Sequence, residues 1–285
     1  MKFVIDQYST NFCSQPEYIA RAIQQHEEHE VFVNDFTIPV FDFLDRVDPD
    51  VYITHVSRLS RDVVYYIKES KKDIHLFICN DNSKYGTAKK TFENLVELGV
   101  KHRVFSNQSG FNKISFTPKN TISLLPATEL NLLDETMKWN KEFDMLVVAD
   151  SKEKLQESKC KINAKYYHVL PLDGLGDISA TAGLRFANLA QNYKEILFTE
   201  MEKGVDELFF QSLLYGNKVY FYSDMNADKI DDMLKRILKI EDTLDYTKDN
   251  KLQDFSKIKT IVKEKHSSQQ RLKTILSQLP QRLSC

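Results

Sequence analysis

The sequence is informative first through what it lacks. It has only 8 glycines and 1 tryptophan among 285 residues. It contains neither a G-x-G-x-x-G motif nor a P-loop lysine motif, which argues against dinucleotide-dependent dehydrogenases and P-loop ATPases. G-x-S-x-G is also absent, which argues against an α/β-hydrolase. Because H-E-x-x-H and paired cysteines at zinc spacing are missing too, we predict a site without a metal ion.

The sequence also has no closely spaced cysteine pair, little net charge and no long hydrophobic run. The 4 cysteines are scattered without a C-x-x-C pair, and no apolar run follows a basic start, so we expect a protein of the reducing cytoplasm. The formal net charge of −2 provides no overall attraction to nucleic acid or anionic membranes. No stretch approaches the roughly 20 apolar residues of a membrane-spanning helix, so we expect no transmembrane segment.

Short apolar runs alternate with amphipathic segments along most of the chain. In the first half this alternation occurs at least four times, which predicts a parallel sheet covered by helices on both faces. A second series begins at Phe143. The predicted strands are 2–6, 31–33, 51–56, 73–79 and 103–105 in the first series and 143–149, 166–171, 196–198 and 218–222 in the second.

The two series predict an α/β protein with two Rossmann-like parallel-sheet domains. The length is sufficient for two hydrophobic cores. We place the first domain at 1–128, a crossover at 129–142 and the second domain at 143–265. No strand is predicted in the poorly periodic run 106–125. Residues 266–285 are expected to form a terminal helix that returns to the first domain.

The single most informative stretch is residues 199–224. Apolar side chains recur at three- and four-residue spacing between 205 and 213, which indicates one buried helical face. Gly216 follows the last periodic position and is suited to the left-handed conformation that ends many helices. Residues 218–222 are mostly β-formers. The stretch therefore predicts a loop, a helix, a glycine turn and a buried strand.

This order of elements resembles the donor-site segment of GT-B glycosyltransferases, in which a helix of the form E-A-L-A-C-G-x-x-V follows an acidic, glycine-containing loop. The matching letters run from Gln211 to Val219. The resemblance implies two domains that face a cleft. It also implies that a nucleotide-sugar lies beside Gly204, Glu207, Gln211 and Ser212, where free N–H groups and the positive helix end favour a diphosphate.

Two positions depart from the family pattern. Gln211 stands where the family has a glutamate that holds the donor ribose; a glutamine still hydrogen-bonds a hydroxyl, but without the charge that strengthens the bond. Lys203 stands where retaining members have their other glutamate, and Glu202 is one position out of register. These departures keep a second interpretation open, in which the chain is a catalytically lapsed nucleotide-sugar binding or sensor protein.

Two further segments are similar to the same family. Residues 189–199, LAQNYKEILFT, are similar to a tyrosine-ended helix that precedes the strand leading into the donor loop. The segment His266 to Arg271, HSSQQR, resembles the H-[ST]-x-x-x-R start of the last helix in small members similar to spore-maturation glycosyltransferase-like proteins. From the residues alone, this second segment also fits a capped amphipathic terminal helix.

The resemblance implies transfer of a sugar from a nucleotide diphosphate, with UDP among the candidate nucleotides. It implies no separate cofactor and no metal ion, so helix N-termini and cationic side chains would stabilise the departing diphosphate. Lys152 and Arg185 are the candidate cations. Gly174, in a loop with two glycines, would let the backbone approach the base. Each of these residues also fits an ordinary surface or turn position.

A proton acceptor for the acceptor substrate's hydroxyl is expected at the carboxyl ends of the first domain's strands, where parallel sheets bind ligands. By position, Asp6 and His55 are the candidates. Both residues also fit purely structural roles, Asp6 as a loop or helix cap and His55 as a hydrogen-bonded polar group. The segments predicted to surround this rim are 6–14, 34–37, 55–58 and 80–84.

One local charge asymmetry bears on the acceptor. Lysine and arginine outnumber acidic residues between 82 and 120, and such a basic half-domain would attract a polyanion. DNA with hydroxylated bases and a phosphate-rich glycan are the acceptors considered. The alternative is that these charges lie on solvated helix faces.

Three classes of function therefore stay open. The first is a nucleotide-sugar glycosyltransferase, and the second is the lapsed binding or sensor protein. The third is an unrelated two-domain α/β enzyme, for example an epimerase. Fold alone does not separate them, and the sequence does not indicate an oligomeric state.

Overall fold

The computed structural model of the chain describes residues 1–7, 15–70, 73–80, 85–107, 121–124, 141–149, 165, 167–171, 186–198, 205–221 and 255–280. Within these residues the strands are β1 (Lys2–Asp6), β2 (Glu30–Asn34), β3 (Val51–His55), β4 (His75–Asn80), β5 (His102–Asn107), β6 (Thr121–Leu124), β7 (Phe143–Ala149), β8 (Tyr167–Pro171), β9 (Tyr193–Phe198) and β10 (Lys218–Phe221). The α-helices are α1 (Gln15–Gln24), α2 (Val40–Val47), α3 (Arg61–Glu69), α4 (Tyr85–Glu97), α5 (Val205–Leu214), α6 (Phe255–Lys265) and α7 (Ser268–Leu276). A helical turn also covers 186–190.

The first sheet has six strands in the order β2-β1-β3-β4-β5-β6. Every neighbouring pair in it is parallel. Because β2 lies on one side of β1 and β3 on the other, the strand order reverses between β1 and β3. Such a switch point is where open α/β sheets bind ligands, beyond the carboxyl ends of the strands.

Helices cover both faces of this sheet, since successive strand residues point to opposite faces. On one face α2, α3 and α4 pack over a cluster that includes Val4, Tyr52 and Ile78. On the other face α1 and α7 pack over a cluster that includes Phe3 and Ile53. The predicted double coverage of the first sheet is confirmed.

The second sheet has four strands in the order β10-β9-β7-β8, and all its pairs are parallel. Read from β8 to β10, this order repeats that of β2, β1, β3 and β4 in the first sheet. Its switch point therefore lies between β7 and β9. The described residues thus form an α/β protein with two parallel, Rossmann-like sheets, as the alternation in the sequence predicted.

The terminal helix α7 packs on α1. Its buried residues Leu272 and Ile275 share a core cluster with Ile19 and Ile23 of α1. Ser267 caps the helix, because its hydroxyl accepts a hydrogen bond from the backbone N–H of Gln270 at 3.2 Å. The last described helix is therefore anchored on the first sheet, although it follows the second sheet in the chain.

Two local predictions are wrong. The run 106–125 contains a strand, β6, which pairs with Val104–Asn107 of β5. Tyr193 does not end a helix but begins β9, where it pairs with Phe143 of β7. In both places pairing with a neighbouring strand decides the local structure. Most of the predicted crossover, at 129–140, lies outside the described residues.

The turn between α5 and β10 follows the sequence prediction. Gly216 has a φ of +67°, the left-handed conformation that glycine adopts without a steric penalty. Asn217 is fully buried next to it. Its side-chain amide donates hydrogen bonds to the carbonyl oxygens of Ala190, at 2.9 Å, and Tyr193, at 2.7 Å. The turn is thereby fastened to the start of β9.

We predict that Gly216→Ala lowers the free energy of unfolding by about 1–2 kcal/mol, the cost of a left-handed alanine. A Cβ at this position meets no atom within 4 Å, so the loss comes from the backbone alone. Gly216→Asn is the matched control, because asparagine tolerates this conformation better. Urea unfolding followed by circular dichroism measures both variants, and equal losses would contradict the explanation.

Candidate functional site

The carboxyl edge of the first sheet brings together polar side chains from three strands. Asp6 ends β1, Asn34 ends β2 and His55 ends β3. All three are buried, with exposed fractions of 0%, 0% and 3%. Asp6 and His55, the two predicted proton acceptors, therefore flank the switch point between β1 and β3.

The Asp6 carboxylate is the centre of a buried hydrogen-bond network. One oxygen accepts a hydrogen bond from the side-chain amide of Asn34 at 2.8 Å. The other oxygen accepts from the hydroxyls of Tyr52 and Thr54, both at 2.5 Å. Asp6 thus ties the ends of β2 and β3 to β1.

Burial is the largest influence on this carboxylate. It raises the pKa of Asp6 above its ordinary value, although the hydrogen bonds from Thr54, Tyr52 and Asn34 and the charge of Arg58 act in the opposite direction. The pKa of Tyr52 is raised well above its usual range, first by burial and then by the charge of Asp6. Tyr52 therefore keeps its proton and stays a donor.

The exposed part of this edge carries a positive charge. The side-chain oxygen of Asn34 accepts a hydrogen bond from the backbone N–H of Phe36 at 3.1 Å, and Phe36 itself has a φ of +63°. The guanidinium of Arg58 lies 4.5 Å from the centroid of the Phe36 ring. Arg58 is exposed, so this cation–π contact holds a solvent-accessible cation beside the buried carboxylate.

The hydrogen-bond partners of Asp6 were not predicted from the sequence. Tyr52 and Thr54 lie two positions apart in β3 and so share one face of the sheet. The β1–β3 register pairs Val4 with Tyr52 and Ile5 with Ile53, and continuing it places Asp6 opposite Thr54. Two residues with hydroxyl groups on one face of β3 were the available signal, but only the strand register shows that they meet Asp6.

The predicted donor-side residues are placed only in part. Glu207 lies in the first turn of α5, and Gln211 and Ser212 lie in its last turns, where both are fully buried. The Ser212 hydroxyl donates a hydrogen bond to the carbonyl oxygen of Leu208 at 2.7 Å, the usual internal bond of a helical serine. The other four predicted residues, Lys152, Gly174, Arg185 and Gly204, lie outside the described residues.

The buried side of α5 contacts the linker between the last two helices. The ring of Phe210 stacks on that of His266, with centroids 4.2 Å apart and an interplanar angle of 13°. His266 is fully buried and precedes the capping residue of α7. The predicted donor helix is therefore in contact with the segment that leads into α7.

Within the described ranges, no group of three or more histidine, cysteine, aspartate or glutamate residues is placed to hold a metal ion. None of the helices that the structure describes has the length and apolar character needed to cross a membrane. These two observations concern only the described part of the chain.

Comparison with known proteins assigns no family to the chain. No protein-family model matches it, and no curated protein matches it in sequence. Any inference about function therefore depends on the residues and their geometry.

We predict that Tyr52→Phe lowers the free energy of unfolding by about 1.5–3 kcal/mol at pH 7, the usual loss when a buried charged group loses a hydrogen bond. The folded-state pKa of Asp6 is raised above 3.8, so Asp6 becomes ionised in the folded protein only as the pH rises above that value. Because the Tyr52 hydroxyl stabilises the ionised form, the loss should be smaller near pH 4 than at pH 7.

Tyr66→Phe is the matched control. Its hydroxyl also donates to an aspartate, Asp45, but this pair is exposed, so we expect a smaller loss. Chemical unfolding of both variants at several pH values tests the network. A Tyr52→Phe loss that is no larger than that of Tyr66→Phe, or that does not grow with pH, would show that Asp6 does not depend on this donor.

Proposed function

We propose that the protein is a glycosyltransferase that moves a sugar from a nucleotide-diphosphate sugar to a hydroxyl of an acceptor, without a metal ion. In this proposal the nucleotide lies against the second sheet and the acceptor lies at the carboxyl edge of the first. The proposal extends to a polyanionic acceptor, because the basic stretch 82–120 belongs to the first half of the chain.

One observation carries the proposal. The chain contains two parallel sheets in succession, and the four strands of the second follow the order of four of the six strands of the first. In the second sheet, α5 and the Gly216 turn connect β9 to β10 in the order that resembles the GT-B donor segment. Because α5 follows β9 and runs back to the start of β10, its N-terminus is on the side of the β9 carboxyl end. That side of the sheet is where ligands of this architecture bind.

The proposed chemistry depends on the charge that develops on the departing diphosphate. Free backbone N–H groups and the positive end of α5 would stabilise that charge. Lys152 follows β7 and Arg185 precedes the turn at 186–190 in sequence, and we propose them as the cations that assist. Gly174 and Gly204 would allow the backbone to approach the nucleotide.

On the acceptor side, Asp6 and His55 are the proposed proton acceptors. Burial raises the pKa of Asp6 above its ordinary value, which makes this carboxylate a stronger proton acceptor than an exposed aspartate. The full burial of Asp6 and the three hydrogen bonds that it accepts also suit a residue that positions Tyr52 and Thr54. Arg58, exposed on Phe36, would attract an acceptor that carries negative charge.

A second candidate function is a nucleotide-sugar binding or sensor protein without catalysis. The specific observation in its favour is the full burial of Gln211 and Ser212 together with the internal hydrogen bond of the Ser212 hydroxyl. A ribose would have to reach Gln211 at a position where the protein now packs. In this alternative the helix keeps its place in the fold, and the glutamine has become part of the packing.

We predict that a nucleoside diphosphate binds with the same affinity in the presence of Mg²⁺ and of a chelator. Isothermal titration calorimetry with UDP, GDP and ADP tests this, with the corresponding nucleosides as controls for binding that does not use the diphosphate. An affinity that disappears with the chelator would contradict the metal-independent mechanism. Failure of every nucleotide to bind would contradict both candidate functions.

The role of residue 211 separates the two candidates. In a working transferase, Gln211→Ala should weaken nucleotide binding by about 1–3 kcal/mol, the cost of an unmade buried hydrogen bond, and Gln211→Glu should preserve binding or improve it. Slow hydrolysis of nucleotide-sugars, measured for both variants beside the binding constant, gives the catalytic readout.

Gln191→Ala is the matched control, because Gln191 is also a buried glutamine and its side-chain amide donates a hydrogen bond to the carbonyl oxygen of Asn188 at 3.0 Å, away from the proposed nucleotide position. If both variants of Gln211 bind the nucleotide with unchanged affinity and no hydrolysis occurs, the catalytic proposal fails and the proposal of a binding protein is supported. If substitution of Lys152 or Arg185 abolishes hydrolysis but substitution of Gln211 leaves it unchanged, the catalytic proposal is supported and the ribose does not lie at Gln211.

A further inference from the structure

A cavity of about 370 Å³ opens at the amino edge of the first sheet, opposite the edge that carries Asp6. Its walls come from the start of β4, from the start of β5 and from the segment that follows α7. A volume of this size is at the lower end of those that hold small-molecule ligands. The lining residues are Asp73, His75, Leu76, Phe77, Lys101, His102, Arg103, Gln278 and Pro280.

The strand register explains how these walls meet. Phe77 of β4 pairs with Arg103 of β5, so the two side chains lie beside each other on one face of the sheet. Phe77 belongs to the core cluster that contains Leu279, just after α7. Gln278 and Pro280 flank Leu279 in sequence, so the end of the α7 segment closes the cavity over this face.

The cavity carries more positive than negative charge. Its charged residues are Lys101, Arg103 and Asp73. The Lys101 ammonium lies 3.1 Å from the Asp73 carboxylate, and both side chains are largely exposed, at 75% and 66%. An exposed ion pair of this kind is weak, so Lys101 is able to exchange Asp73 for another anion.

The remaining polar groups fit an anion as well. One guanidinium nitrogen of Arg103 donates to the carbonyl oxygen of His102 at 3.2 Å, which leaves the other N–H groups of its fork for further acceptors. Burial lowers the pKa of His75, with Lys101 and Arg103 acting in the same direction and Asp73 and Asp50 against it. A neutral imidazole at His75 keeps one N–H donor.

We propose that this cavity binds a small organic anion with a phosphate or carboxylate group, which Lys101 and Arg103 hold while Phe77 and Pro280 line its apolar part. The site is independent of the glycosyltransferase proposal, since it lies at the opposite edge of the first sheet. Because one wall belongs to the α7 segment and the others to the sheet, a bound anion links the terminal helix to β4 and β5.

This linkage makes the site measurable through stability as well as binding. A ligand that binds only the folded protein raises its unfolding temperature, and the rise continues with the logarithm of the free ligand concentration above the Kd. The probes are inorganic phosphate and glycerol phosphate for one oxyanion class, and citrate and acetate for the other. Calorimetric titration and thermal unfolding at constant ionic strength, with chloride as the reference anion, measure each of them.

Lys101→Gln and Arg103→Gln should each weaken binding by about tenfold or more, as expected when a charge-assisted hydrogen bond is lost. Lys194→Gln is the matched control, because Lys194 forms an exposed ion pair of the same length, 3.1 Å, with Asp144 in the second sheet. It should leave binding unchanged. Unfolding without ligand checks that each variant is folded, and Arg103→Lys, which keeps the charge, replaces Arg103→Gln if that variant is unstable.

The probes also identify the oxyanion. Saturable binding of the phosphates alone assigns the site to phosphomonoesters, and saturable binding of the carboxylates alone assigns it to organic acids. If no probe binds with saturation, or if Lys194→Gln weakens binding as much as Lys101→Gln does, the cavity is not an anion site and the proposal is overturned.

Discussion

The carboxylate of Asp6 is the constraint on which the geometry of the first sheet's carboxyl edge depends. A buried charge of this kind is tolerated only when it is hydrogen-bonded, and here three donors from β2 and β3 converge on it. Since β1 pairs with both of those strands, the same three bonds fix where all three strands end. The switch point between β1 and β3 is therefore held by a polar network, whereas the rest of the sheet is held by apolar side chains on both faces.

Local patterns were enough to predict the features that local physics controls. Strand β7 lies where its apolar run predicted, at Phe143–Ala149. Gly216 has the left-handed conformation expected after a helix. The alternation of strands and helices predicted two parallel sheets because each parallel connection needs a crossover segment.

The features that the sequence did not predict all depend on distant pairing. Strand β6 has four residues within a weakly periodic run, and its pairing with β5 is its evident support. Tyr193 is drawn into β9 by its pairing with Phe143, and its hydroxyl lies 2.7 Å from Nδ1 of His168 on β8. At the candidate site, the donors to Asp6 are 28, 46 and 48 residues away in sequence. Periodicity carries no information about which polar residues meet across a sheet.

The structure also gives the segment from His266 to Arg271 a physical explanation that needs no catalytic role. His266 stacks on Phe210 of α5, Ser267 caps α7, and Arg271 is buried with an exposed fraction of 4%. Since α6 packs on α5 and α7 packs on α1, this short segment is where the end of the chain passes from one sheet's helices to the other's. The histidine ring packs on an aromatic neighbour, and the serine initiates the helix by capping it. The residues of this segment are therefore explained by packing and helix initiation alone.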